Sequence, residues 1–342
     1  MSSAADRIAP AQPSARSQSW KPVVIALLLW LASIAAIFPL SGGSLPFQRP
    51  ALARVPFRAQ VLLQVLSPVF PLFLIGITYL LTRRRPVPDL AARAPDRSTA
   101  KREVLALWSY AAIVVTVGQI LGRQLFGEGI GLHLNGSLFG PTRVETPAEV
   151  WTWAAYNFVL LAALPYLVFR RRGYSTEQLN LRSSNLKNDT IVILVVLALE
   201  SALELSASGF FGLTAHQMAV GAVLSFVVHL LGTGLPVMIF IYSILMPRYA
   251  RLSGSTATTV LLGALSYAAL HIFEYWTVYD SPRHALLSLI FALTTFIGPG
   301  LIKSYLTVRT GNAWVHLWAY HAIAPHVTSD TTVVVRIFGV RL

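Results

Sequence analysis

Nine apolar runs divide the chain, separated by polar and often basic segments. They cover 22–40, 59–82, 104–124, 151–169, 190–208, 218–246, 257–276, 284–306 and 313–328. Most reach the roughly 20 residues that a helix needs to cross the hydrocarbon core of a bilayer, and they are too long for tilted barrel strands. The expected fold is therefore all-α: a polytopic membrane helix bundle of about nine (eight to nine) transmembrane helices. The sixth run is long enough to be tilted or broken near Gly232, Gly234 and Pro236. Such a break is tolerated at membrane depth where the backbone lines a cavity or is covered by protein. In the eighth run, Gly298-Pro299-Gly300 marks a kink or a close helix contact. The ninth run is short. The β-branched stretch 332–340 after it is expected to form a terminal strand or an interfacial segment.

Composition supports this reading. The 342 residues are 55% hydrophobic and 12% charged, against roughly 25% charged in soluble domains. The net charge of +13 does not point to nucleic acid. The basic residues lie between apolar runs and do not gather as a patch on a soluble fold, so they read as a positive-inside bias and an attraction to anionic lipid heads. Placing the N-terminus in the cytoplasm puts most of the 27 Lys and Arg residues on the inner side, among them Arg83, Arg84 and Arg85, the run Arg170 to Arg172, Arg248, Arg251, Lys303 and Arg309. The first run is too long for a signal peptide. Residues 1–20 read as a disordered cytoplasmic tail. Asn135-Gly136-Ser137, in an outer loop, has the form of a glycosylation acceptor and reads as a chance tripeptide. With no cysteine in the chain, disulfides, thiol nucleophiles and thiolate metal sites are excluded.

An ionisable side chain inside the membrane costs several kcal/mol, which makes it a functional candidate. The candidates are Glu200 and Glu204 on the fifth run, His229 on the sixth, His271 and Glu274 on the seventh, and His316, His321 and His326 on the ninth. Glu200 and Glu204 are four apart and share a helix face, as do His271 and Glu274 at three apart. The three histidines of the ninth run are five apart. Five residues turn an α-helix through about 500°, so each is offset by roughly 140° and the three fan round the axis. His321 is the one placed to face the bundle interior; His316 and His326 fall nearer the interfaces. Glu200, Glu204, His229, His271, Glu274 and His321 all fall in the middle or outer half of the bilayer. A carboxylate in that layer is a candidate general base for taking a proton from water. Signatures such as His-Glu-x-x-His, Gly-x-Ser-x-Gly or a Walker loop are absent from the sequence.

The last third resembles the CPBP family of intramembrane proteases, also called the Abi or CAAX prenyl-endopeptidase family. Leu265-Ser266-Tyr267-Ala268-Ala269-Leu270-His271 is similar to the family's Phe-x-x-x-His helix, with Tyr267 in the Phe position. Phe296 to Gly311, closing on Arg309-Thr310-Gly311, is similar to its Gly-rich helix and Arg-Thr-Gly loop. Ala313 to His321 is similar to the final helix that carries the family's second histidine. Arg170 to Leu181, ending Gln178-Leu179-Asn180-Leu181, looks like the usual lead-in to the core, so the likeness covers about 165–328. It implies that His271 and His321 assist a glutamate-activated water, as metal ligands (zinc) or as oxyanion stabilisers. Two features depart from the pattern. The family's Glu-Glu-x-x-x-Arg motif belongs before Leu245-Met246-Pro247, where this chain has Pro236 to Ser243 with neither glutamate nor arginine. The position four after His321, usually Asn or another polar residue, is Pro325, with His326 next to it. A glutamate from elsewhere (Glu200, Glu204 or Glu274) then substitutes, or this member does not cleave peptides.

The expected organisation is a tail at 1–20, N-terminal transmembrane helices at 21–164, a core at 165–328 and a short C-terminal tail at 329–342. Three functions remain open. The first is an intramembrane hydrolase acting on a membrane-associated peptide, with His271, His321, Glu200, Glu204 and Glu274 as site residues and zinc on His271 and His321. The second is a catalytically inactive membrane protein that serves as a binding, assembly or complex subunit for a membrane peptide or protein partner. The third is a proton-coupled transporter, although no inverted repeat is visible. The lipid bilayer is the partner in every case. The expected location is the inner (plasma) membrane of a bacterium.

Overall fold

A computed structural model describes residues 20–47, 55–127, 131–136, 144–207 and 209–341. The expected tail lies outside the described residues apart from Trp20, as does Ser137 of the Asn135 tripeptide. Asn135 itself is buried, and its side-chain amide donates to the Gly131 and His133 carbonyls.

The described residues are helical and contain no strand. We number the main helices α1 (Lys21–Ser41), α2 (Phe57–Thr82), α3 (Arg97–Phe126), α4 (Pro147–Arg171), α5 (Leu186–Ala207), α6 (Ala215–Ser253), α7 (Thr256–Ala269), α8 (Pro282–Thr310) and α9, a broken helix over 313–337. Among the described residues six of them, α1 to α4, α6 and α8, are long and apolar enough to cross a membrane unaided. Together they make this an integral membrane helix bundle.

The boundaries follow from local chemistry. Asp96 accepts from the Ser98 and Thr99 amides at the start of α3. Hydrogen bonds from Thr99 and Ser98 hold its carboxyl below the ordinary carboxylate range. Thr146, Ser255 and Ser281 cap α4, α7 and α8 in the same way, and Thr214 with Gln217 closes a capping box at α6. Leu27, Leu28 and Leu29 of α1 are more than half exposed, as suits a helix facing lipid tails.

The second half of α6 is the axis of the bundle. All eight residues of its π-helical stretch Met238–Leu245 are buried, which marks a helix apolar on every side and covered on every side. A second π-helical stretch, Leu230–Gly234, lies where the sequence led us to expect a break. The reason is steric at Gly232, where a Cβ would come within 2.2 Å of the Trp153 ring from α4. In α8 the Gly298-Pro299-Gly300 segment stays helical and serves as a close contact. A Cβ on Gly300 would meet the Ala264 backbone of α7 at 2.7 Å.

Two segments differ from expectation. Helix α7 stops at Ala269, so His271 and Glu274 sit in the turn beyond it. The stretch expected as a strand or interfacial segment is mostly the helical end of α9, Asp330–Ile337. Its Thr331 and Val335 press on Gly221 of α6, where a Cβ would lie 2.4 Å from Val335 Cγ2. That tertiary contact outweighs the strand preference of β-branched residues.

Candidate functional site

Helix α9 carries the site, and its backbone is unusual. It runs from Ala313–His316 through π-helical Leu317–His321, turns at 322–323, and continues through π-helical Ala324–Ser329 to Asp330–Ile337. A π-helix closes its hydrogen bonds at i+5, so residues five apart come nearly above one another. His316, His321 and His326 therefore do not fan out as an α-helix would require. Their rings form a file, with centroids 6.2 Å apart from His316 to His321 and 5.5 Å from His321 to His326. All three are buried, including His316 and His326, which were expected near the interfaces. Helix α5 packs along both π-helical stretches, and the first half of α6 covers the end of α9.

At the end of the file His326 stacks on His229 of α6, centroids 4.4 Å apart and planes 10° apart. Asp330, one turn beyond His326, places Oδ2 2.9 Å from His326 Nδ1 and 2.9 Å from His229 Nε2. Among the described residues these three form the one group of metal-capable side chains whose ligand atoms all lie within 4.8 Å of one another.

The surrounding hydrogen bonds orient the rings. His229 Nδ1 is 2.8 Å from the Ser225 carbonyl, which can only accept, so Nδ1 carries a proton. The Thr233 hydroxyl donates to the His229 carbonyl at 3.0 Å and is 3.3 Å from His326 Nε2. His326 Nδ1 and His229 Nε2 both face Asp330 Oδ2, which as a carboxylate oxygen can only accept. Two imidazole nitrogens and a carboxylate oxygen thus converge on one buried point. They repel one another unless a cation or shared protons lie among them. Two imidazoles and one carboxylate suit a zinc-class cation and leave a coordination position for water. Ser225 and Thr233 supply the outer hydrogen bonds that orient metal-binding imidazoles. Ser225 Oγ also donates to the His326 carbonyl at 2.6 Å and ties α6 to α9.

The residues singled out from the sequence fall around this group. Glu204 accepts from Ser329 Oγ at 2.7 Å, beside Asp330, and the two carboxylates interact electrostatically. Glu200 is buried one turn earlier on α5 and interacts with the Lys303 ammonium. His271 and Glu274 pair, Nδ1 to Oε1 at 2.8 Å, and the same oxygen accepts from the Gly136 amide at 2.6 Å. His271 stacks on Phe296, with centroids 4.1 Å apart. His271 and His321 both contact the Tyr267 ring, at 4.6 and 5.9 Å between centroids. The three-residue metal-capable group contains neither His271 nor His321; it is made by His229, His326 and Asp330.

Two buried charged residues stand outside the candidates that the sequence offers: Asp330, in the expected C-terminal tail, and Lys303, an expected inner-side cation that is 2% exposed, with Nζ 3.8 Å from the Tyr267 ring centroid. His326 is a candidate but is buried and not interfacial. The five-residue spacing of the histidines and the His326-x-x-x-Asp330 step were the signals available. No family model matches the chain, and no curated protein or solved structure matches it.

Proposed function

We propose that this protein is a metal-dependent intramembrane hydrolase acting on a membrane-associated peptide. The observation that carries the reading is the convergence of His229 Nε2, His326 Nδ1 and Asp330 Oδ2 inside a membrane bundle, with the Glu204 carboxylate beside them. A zinc-class cation held by these three residues supplies Lewis acidity towards water or a carbonyl. The residues do the rest. Ser225 and Thr233 hydrogen-bond the outer nitrogens of the two rings and orient them towards Asp330. Glu204, held by Ser329, takes one proton from water and passes it to the leaving amine as the peptide C–N bond breaks; the water oxygen stays on the carbonyl carbon as the new carboxyl group. Because the group is buried among helices, its substrate reaches it from within the bilayer.

The test compares membrane-protein termini in cells making the wild-type chain or Asp330→Asn at equal level. Hydrolysis generates new termini in or beside membrane segments that are lost in Asp330→Asn. Identical sets of termini would sink the hydrolase and favour the subunit reading. The transporter reading draws on the imidazole file. It gains if acidification of proteoliposomes by this chain is abolished in His321→Ala.

A further inference from the structure

Lys303 enters the bundle interior from α8, and its neighbours there are unusual. Its ammonium lies over the Tyr267 ring and 5.7 Å from that of Tyr320. Its charge is felt by Glu200 and by the imidazoles of His271, His316 and His321. Tyr242 packs on His316 with centroids 4.1 Å apart and its hydroxyl pairs with that of Ser304, while His316 bonds the Ala313 backbone. All of these side chains are at least nine-tenths buried. Yet Glu200 Oε2, His271 Nε2, His321 Nδ1 and one His316 nitrogen find no protein partner among the described residues.

An unpartnered buried polar atom costs about 1–3 kcal/mol, and native proteins carry few of them. Four in one cluster require an explanation. We propose that they line an internal chamber holding a cluster of water molecules around the Lys303 ammonium, next to the His229–His326–Asp330 group. The chemistry favours water over other occupants. Donors (Lys303, the hydroxyls, imidazole N–H) and acceptors (Glu200, His271 Nε2) are mixed, so each water finds the two to four partners it needs. An apolar occupant would leave them unsatisfied, and an anion would meet Glu200 across from Lys303. The chamber reaches the metal-capable group through His321, whose ring is 5.5 Å from His326. Its existence is independent of the hydrolase reading; only its role as the source of hydrolytic water rests on that reading.

Radiolytic hydroxyl-radical labelling of the full chain in lipid nanodiscs, read by mass spectrometry, tests this. Radicals form where water is, so Tyr242, His316 and His321 should be modified about tenfold faster than Phe240 and Phe291, which are equally buried among apolar side chains. Labelling no faster than those controls would mean that the polar atoms bond to one another, and would overturn the chamber. In Lys303→Met, labelling of Tyr242 and His316 should fall by about threefold with the controls unchanged. Unchanged labelling would remove Lys303 from the chamber and overturn the proposal as stated. Zinc content of the same samples reads the His229–His326–Asp330 group separately, so failure of one proposal does not pass for failure of the other.

Discussion

Two of the buried carboxylates have opposite surroundings. Asp189, at the start of α5, pairs with Arg85. It also accepts from Ser183 Oγ at 2.6 Å and from Asn312 Nδ2 at 2.9 Å. Arg85 in turn donates to Asn188, Ser184 and the Thr310 carbonyl. Charge and hydrogen bonds close on themselves, and nothing is left for a ligand to do. Asp330 is equally buried, but it pairs with two stacked imidazoles, His229 and His326, in place of a guanidinium. The first arrangement carries its counter-charge in a group that is always protonated; the second uses groups that can give up a proton to a cation. Burial alone does not distinguish a structural carboxylate from a ligating one, whereas tracing each proton does.

That contrast can be broken from either side. Asp189→Ala leaves Arg85 buried without its counter-charge and should cost about 3–5 kcal/mol of stability, seen as a large fall in the thermal midpoint in detergent. Asp330→Asn should weaken zinc binding by about a hundredfold or more. It should leave the metal-free protein about as stable as the wild type, since the asparagine carbonyl still accepts from an imidazole N–H. A stability loss as large as that of Asp189→Ala would make Asp330 structural. Gly300→Ala, in the helix contact, should cost about 1–3 kcal/mol without changing zinc affinity. Thr233→Val, which frees the outer nitrogen of His326, should lower zinc affinity by about tenfold with little effect on stability. Acidification should act in the same direction as these ligand changes, because protons compete for the imidazole lone pairs; zinc affinity should fall as the medium passes below the ordinary histidine range.

The architecture was legible in the sequence because long apolar runs constrain a chain more tightly than any local motif. The irregular stretch of α6 was legible too, since Gly232 admits Trp153 and Gly234 admits Leu317. The site was only half legible. The layer of Glu and His residues could be read from their depth, but their mutual geometry could not. That geometry depends on the helical period, and a spacing of five reads as a fan in an α-helix and as a file in a π-helix. Nothing in Leu317 to Ser329 states which of the two will form; covering contacts from α5 and α6 accompany it. Asp330 was missed because the apolar run ends before it, although the helix and its burial do not. Lys303 was missed because a cation near the end of an apolar run usually reaches for the interface, whereas this one points inwards over Tyr267.

The most direct test of the account is metal content and X-ray absorption at the zinc edge for the purified full chain supplied with zinc. The account predicts one zinc per chain, with two imidazole nitrogens and a carboxylate oxygen at about 2.0–2.2 Å, lost in Asp330→Asn and retained in His271→Ala. Substoichiometric zinc that is indifferent to Asp330, or zinc that depends on His271 and not on His229 and His326, would contradict it.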